Sequence, residues 1–139
     1  MERPMSYVVE ARTVDASVSE ASCKSVTVRF DSAPGVSPDL PGPAELLAMA
    51  FAACVLKNVS RYSEILPFSQ HGASIQVTAD RQQSPPRMTR INYVLRLKTN
   101  EPEHRIELLH KNIAKFGTIY NTLAEVCEIS GEIIAEPSY

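Results

Sequence analysis

Three cysteines, Cys23, Cys54 and Cys127, are the side chains of this sequence best suited to nucleophilic or redox chemistry. They are widely spaced, form no CxxC, and are too few and odd in number for a disulfide framework, so in a reducing compartment they are thiols. A thiol attacks as its thiolate, and at an ordinary pKa of about 8.5 only roughly 3% is ionised at pH 7. A functional cysteine therefore needs a nearby cation. Cys54 lies about eleven residues into a helical stretch that starts at Pro43, which puts it some 15 Å from that helix's N-terminus, too far for the helix dipole to hold a thiolate. Arg29, at the end of a strand just before the loop that leads into the helix, is the cation the layout offers. Arg61, two turns after Cys54 and on nearly the same face, is the second candidate. Against this stands the plainer reading that Cys54 is a small core residue, since free cysteine is among the most buried residue types.

The other reactive types add little. His104 and His110 are six residues apart, on different faces of a helix, and His71 is remote, so neither a metal site nor a bound cofactor is expected. Cys127 shares a strand face with Ile129 and Ile133 and reads as core; Cys23 sits near a strand start in a Ser-rich segment. The segment from Arg81 to Arg90 reads as a solvated loop.

The elements that position these groups follow from periodicity. Residues 6–13 and 24–30 read as strands, the second alternating Val26, Val28 and Phe30 against Ser25, Thr27 and Arg29. Residues 31–43 hold Pro34, Gly35, Pro38, Pro41, Gly42 and Pro43, too many breakers for a helix or strand, and read as an ordered loop. A long helix runs from Pro43 to about Leu66, with proline in its first turn, Glu45 close behind and Pro67 at its end. Its segment from Leu46 to Leu56 is continuously apolar, which calls for cover on every side; at eleven residues it is too short to cross a membrane, so part of the cover is expected from a second copy of the chain. Alternating Ile75, Val77 and Ala79, then Ile91, Tyr93, Leu95 and Leu97, read as a hairpin turning at residues 82–87. Residues 103–116 read as an amphipathic helix through Ile106, Leu109, Ile113 and Phe116, with Gly117 at the C-terminal cap, and residues 126–135 as a last strand. The order ββ-α-ββ-α-β predicts an α+β fold in one domain, 1–139, with the long helix packed on sheet.

Composition bounds the partners. A chain of 139 residues with a formal charge of −2 fits one domain and lacks the basic field that nucleic acid or an anionic membrane surface requires. The N-terminal residues have no basic and apolar export pattern, and a cytoplasmic protein is expected.

The stretch Val28-Arg-Phe-Asp-Ser-Ala-Pro-Gly35, followed by Gly42-Pro-Ala-Glu-Leu-Leu-Ala-Met-Ala-Phe-Ala-Ala-Cys54, resembles the signature of the OsmC/Ohr family, and the similarity extends through the hairpin, the second helix and Asn121-Thr-Leu123. The resemblance implies an intertwined homodimer with active sites at the subunit interface. It also implies a reaction: a cysteine attacks an organic hydroperoxide and becomes a sulfenic acid, an arginine holds the thiolate, a glutamate orients the arginine, and a second cysteine resolves the product as a disulfide. Cys54 matches the attacking cysteine and Arg29 the arginine. Two positions depart from the pattern. Where the family has its glutamate, directly after the proline, this chain has Ala44, with Glu45 one residue on and about 100° around the helix. Where the resolving cysteine belongs, it has Gly117-Thr118. Glu45 and Cys127 remain as further site candidates, Cys127 only if its Cα comes within about 7 Å of that of Cys54. Tyr120 stands where the family commonly has a small polar residue. The expectation is a redox-related thiol protein that reduces organic hydroperoxides through Cys54 with an external thiol as reductant; the alternative is a catalytically degenerate dimer that binds a small apolar or thiol ligand at the subunit interface.

Overall fold

The computed structural model describes residues 4–137. Their contacts divide the chain into two compact units, one ending at Leu46 and one beginning at Leu47.

The first unit is a three-stranded antiparallel sheet in the order β1-β2-β3, from strands Glu10–Thr13 (β1), Val18–Cys23 (β2) and Val26–Asp31 (β3). The sequence reading found only two strands here. It missed β2, because Val18-Ser-Glu-Ala-Ser-Cys23 shows no apolar alternation, and it drew the first strand too long at its N-terminal end. What makes β2 a strand is pairing on both sides rather than its own pattern. The β2–β3 hairpin turns in two residues, with Lys24 at φ 54°, the positive value such a tight hairpin demands. At the preceding turn, Asp15 Oδ1 accepts the backbone N–H groups of Ser17 (2.8 Å) and Val18 (2.9 Å), which holds the Asp15 carboxyl below its ordinary pKa.

The proline-rich loop is ordered as expected. Asp31 accepts from the N–H of Ala33 and, through its other oxygen, from that of Ser37, both at 2.9 Å, while its own N–H donates to Pro41 O at 2.8 Å. The loop ends in helix α1, Pro43–Ile65, whose first turn belongs to the first unit.

The second unit packs one face of α1 on a three-stranded sheet, together with helices α2 (Glu103–Phe116) and α3 (Thr118–Ala124). Strands β4 (Ala73–Gln83) and β5 (Pro86–Lys98) pair antiparallel, and β6 (Glu128–Glu136) runs parallel to β5 at its other edge. The α2–α3 segment supplies the crossover that a parallel pair requires. Alternation puts Ile91, Tyr93, Leu95 and Leu97 on the inward face, beside Ile75 and Val77 of β4 and Ile129 and Ile133 of β6. Onto this layer α1 sets Phe51, Val55, Val59 and Tyr62, spaced four, four and three apart, and α2 adds Leu109 and Ile113. Each such side chain, buried in full, contributes about 1.5–3 kcal/mol.

Two further details differ from the expectation: helix α3 was not foreseen, and β6 begins at Glu128 so that Cys127 precedes it. On α1, Leu47 and Met49 are 36% and 55% exposed. By length and composition the whole of α1, at 23 residues with a mean hydropathy of 1.3 over its best window, also suffices to cross a membrane, which the eleven-residue apolar run alone does not. Its packed face makes it the core helix of the second unit.

Candidate functional site

Cys54 sits half-buried in the middle of α1, between the covered positions Phe51 and Val55. Its sulfur meets the junction of α2 and α3. A Cβ placed on Gly117 would lie 3.1 Å from Cys54 Sγ, 3.0 Å from Ile113 O and 3.0 Å from Tyr120 Cβ. Gly117 does occupy the cap position of α2, donating its N–H to Ile113 O (3.2 Å), but its φ of −71° and ψ of 120° are extended and open to any residue. Glycine at 117 thus matters here for room beside a sulfur atom, not for left-handed backbone.

One turn along α1, the buried Asn58 donates from Nδ2 to Cys54 O at 2.8 Å and to Cys54 Sγ at 3.5 Å. In the sequence the i, i+4 spacing of Cys54 and Asn58 is the signal, because it brings a side-chain amide level with the atoms of the residue one turn before.

Around this pair lies an aromatic cluster. The Phe51 ring stands 5.4 Å from that of Tyr120 and 5.6 Å from that of Tyr93, and Tyr93 and Tyr120 meet edge to face at 6.3 Å. Tyr93 Oη and His110 Nε2 are 2.6 Å apart. Burial, and after it the neighbouring Tyr120, pushes the Tyr93 phenol well above its ordinary pKa, so it stays protonated, while burial holds His110 below its usual value and favours the neutral ring. Tyr93 in turn requires Gly131, its partner in the parallel register, because a Cβ there would overlap the phenol ring.

The remaining sequence candidates are placed as follows. Arg29 is exposed on β3 in the first unit, opposite Glu20, whose carboxylate pairs with Arg12 at 2.9 Å; the Arg29 charge helps to lower the pKa of Asp15. Glu45 Oε1 accepts the Gly42 N–H at 2.9 Å, the reciprocal half of a capping box, so its carboxylate closes the start of α1. The Arg61 guanidinium lies over the Tyr62 ring, 5.7 Å from its centre. Cys127 is buried in the core, its thiol directed to Met88 O at 3.6 Å. Cys23 is exposed, with Sγ 3.7 Å from Val8 O. Among the described residues no group of three or more His, Cys, Asp or Glu is arranged to hold a metal ion.

Residues 36–131, most of the chain, match the family described as OsmC-like protein. The chain belongs to the OsmC-like family. Solved structures share the fold. An OsmC-like protein from Mycoplasma pneumoniae superposes with a TM-score of 0.86 at 19% identity, covering 96% of this chain and 99% of that one. An organic hydroperoxide resistance protein OsmC from Legionella pneumophila gives 0.72 at 12% identity, over 95% and 98% of the two chains. The organic hydroperoxide resistance protein OhrB of Bacillus subtilis gives 0.68 at 16%, over 94% and 98%. Comparison with curated protein sequences returned no match.

Proposed function

We propose that this OsmC-like protein reduces organic hydroperoxides through Cys54 and relies on an external thiol to complete the cycle. The observation that carries the reading is the contact between Gly117 and the Cys54 sulfur, at 3.1 Å for an added Cβ. In a disulfide the Cβ of one cysteine lies about 3 Å from the sulfur of the other, as a roughly 2.04 Å S–S bond and a near-tetrahedral sulfur angle require. This spacing supports the reading of Cys54 as an attacking thiol whose resolving partner is replaced by glycine.

The chemistry runs in three steps. The Cys54 thiolate attacks the terminal oxygen of ROOH; an S–O bond forms, the O–O bond breaks, and one proton taken up gives ROH and Cys54–SOH. An external thiol R′SH then displaces water and leaves the mixed disulfide Cys54–S–SR′. A second R′SH releases R′SSR′ and returns the Cys54 thiol. Arg29 is assigned the role of cation for the thiolate, on the strength of the sequence resemblance.

The working unit is proposed to be a homodimer. Support comes from apolar surface that a single chain leaves open: Leu47 and Met49 on α1, and Val26 and Val28 on β3 at 58% and 40% exposure. The first unit also carries an apolar groove of about 220 Å³ formed by Val9, Ala21, Cys23, Val26, Val28 and Leu46. A second reading, a site that binds a small apolar or thiol ligand without turnover, is favoured by Tyr120, whose ring packs on Phe51 beside the junction.

Intact mass of the reduced protein after one equivalent of cumene hydroperoxide decides between them. The expected result is prompt addition of one oxygen, or of one added thiol when glutathione is present, lost in Cys54→Ser and kept in Cys23→Ser. A wild-type protein left unoxidised between pH 6 and 8 removes the peroxidase reading.

A further inference from the structure

A primary amide carries two N–H bonds, and both of those on Asn58 have a place to go. One is directed to Cys54 O at 2.8 Å, the other to Cys54 Sγ at 3.5 Å. The orientation is not arbitrary: turning the amide over would set Asn58 Oδ1 against the Cys54 carbonyl oxygen, two acceptors facing each other. Asn58 is only 8% exposed, so water competes poorly for these bonds. A plain back-bond to the carbonyl one turn earlier accounts for the first contact but not for the second. Serine makes the back-bond alone, as Ser63 does to Val59 O at 2.6 Å on this same helix.

We infer that Asn58 is a positioning residue for the Cys54 thiolate: its second N–H donates to the sulfur, which favours the anion and fixes the rotamer that faces Gly117. The inference rests on the thiolate reading of Cys54 given above. A donor to an ionised acceptor is worth more than the same donor to a neutral one, so the bond acts selectively on the reactive form. The titratable groups in the cluster packed around Cys54 are Tyr120 on α3, Tyr93 on β5 and His110 on α2; on α1 itself the flanking cations are Lys57 and Arg61, both exposed. Tyr93 and His110 are joined to each other at 2.6 Å and Tyr93 also interacts with Tyr120, while Asn58 Nδ2 is the side-chain donor recorded at the sulfur among the described contacts of this unit.

The test is the pH profile of iodoacetamide alkylation of Cys54, read by intact mass in a Cys23→Ser background, for Asn58 and two replacements. Asn58→Leu keeps the volume and removes both donors. Asn58→Ser keeps the back-bond to Cys54 O but commits its single O–H to it, so the sulfur loses its donor. The expected result is that both variants alkylate about tenfold more slowly than the parent at pH 7, with the midpoint of the profile moved to higher pH by about one unit, and the same limiting rate at pH 10. If Asn58→Ser alkylates like the parent, Asn58 holds the helix and nothing more, and the inference is overturned even where Asn58→Leu fails to fold. If the parent itself reacts no faster than glutathione at pH 7, the thiolate reading fails first and takes this inference with it. A fast parent with two fast variants sinks the role of Asn58 alone.

Discussion

An added side chain at residue 117 would have to share space with three atoms at once, the Cys54 sulfur, Ile113 O and Tyr120 Cβ, all between 3.0 and 3.1 Å from its Cβ. Such distances are tight, so a new methyl group asks its neighbours to give by a few tenths of an ångström. A cysteine has a compensation available, because its own sulfur can bond to the atom that crowds it. Gly117→Cys should therefore take up the resolving role: after one equivalent of cumene hydroperoxide, two free thiols disappear together and the intact mass falls by the two hydrogens of a disulfide, instead of rising by one oxygen. Gly117→Ala, crowded without that outlet, serves as the control. If Gly117→Cys gains oxygen on Cys54 and keeps its new thiol, the two positions do not meet in solution as they do here. At this scale the sequence placed Cys54 within the long helix and Gly117 at the cap of α2, because periodicity and breakers mark both elements. It was silent on what the Asn58 amide does, since a residue type at an i, i+4 position tells where a side chain starts and not which atom it turns toward the sulfur.

The two ends of α1 are closed by different means, and only one of them is readable in the chain. The N-terminal end carries its own signal: Gly42, Pro43 and Glu45, with the Glu45 carboxylate back on the Gly42 N–H. The C-terminal end has no basic residue in its last turn. It is closed from α2, where Arg105 Nη2 donates to Leu66 O and to Pro67 O, both at 2.7 Å, and Nε reaches Glu101 at 3.3 Å. Thirty-eight residues separate that donor from its nearer acceptor, so no local pattern announces it. Arg105→Met keeps the aliphatic stem and removes the fork. Its side chain is 28% exposed and solvent partly replaces the lost bonds, so the expected cost is about 1–2 kcal/mol in urea unfolding, at unchanged slope. A shift below about 0.3 kcal/mol would mean that water does the work of the guanidinium. The same limit explains the strand and helix that periodicity missed. Strand β2 is held by partners on both sides and shows no alternation of its own, and α3 is a seven-residue helix with Leu123 as its buried residue, too short to show a repeat. By contrast α1, α2, β4 and β5 each bury a long stripe, and each was legible as a type.

For the molecule as a whole, acid is the perturbation that the buried polar pair in the core should register. His110 is held below its ordinary value of 6.5 by burial, and its Nε2 lies 2.6 Å from Tyr93 Oη, a phenol that burial and Tyr120 keep protonated. A second proton on the ring would put a charge in a site that burial makes unfavourable for it. The unfolded chain therefore binds this proton more readily than the folded one, which gives the sign: the contribution of His110 is present in full above pH 6.5, begins to fall as the pH drops through that value, and is gone below the lower pKa of the folded state. Asp15, the carboxyl with a lowered pKa, works in the same direction but only from its ordinary value of 3.8 downward, so the two windows are separate. Urea unfolding midpoints measured from pH 7.5 to pH 5 should decline in the parent and decline less in His110→Gln, which keeps an acceptor for Tyr93 and cannot titrate. Parallel curves for the two proteins would place the acid sensitivity elsewhere. A flat parent curve would show that the histidine takes up its proton in the folded state at no cost, and burial of the ring would then not be what sets its pH response.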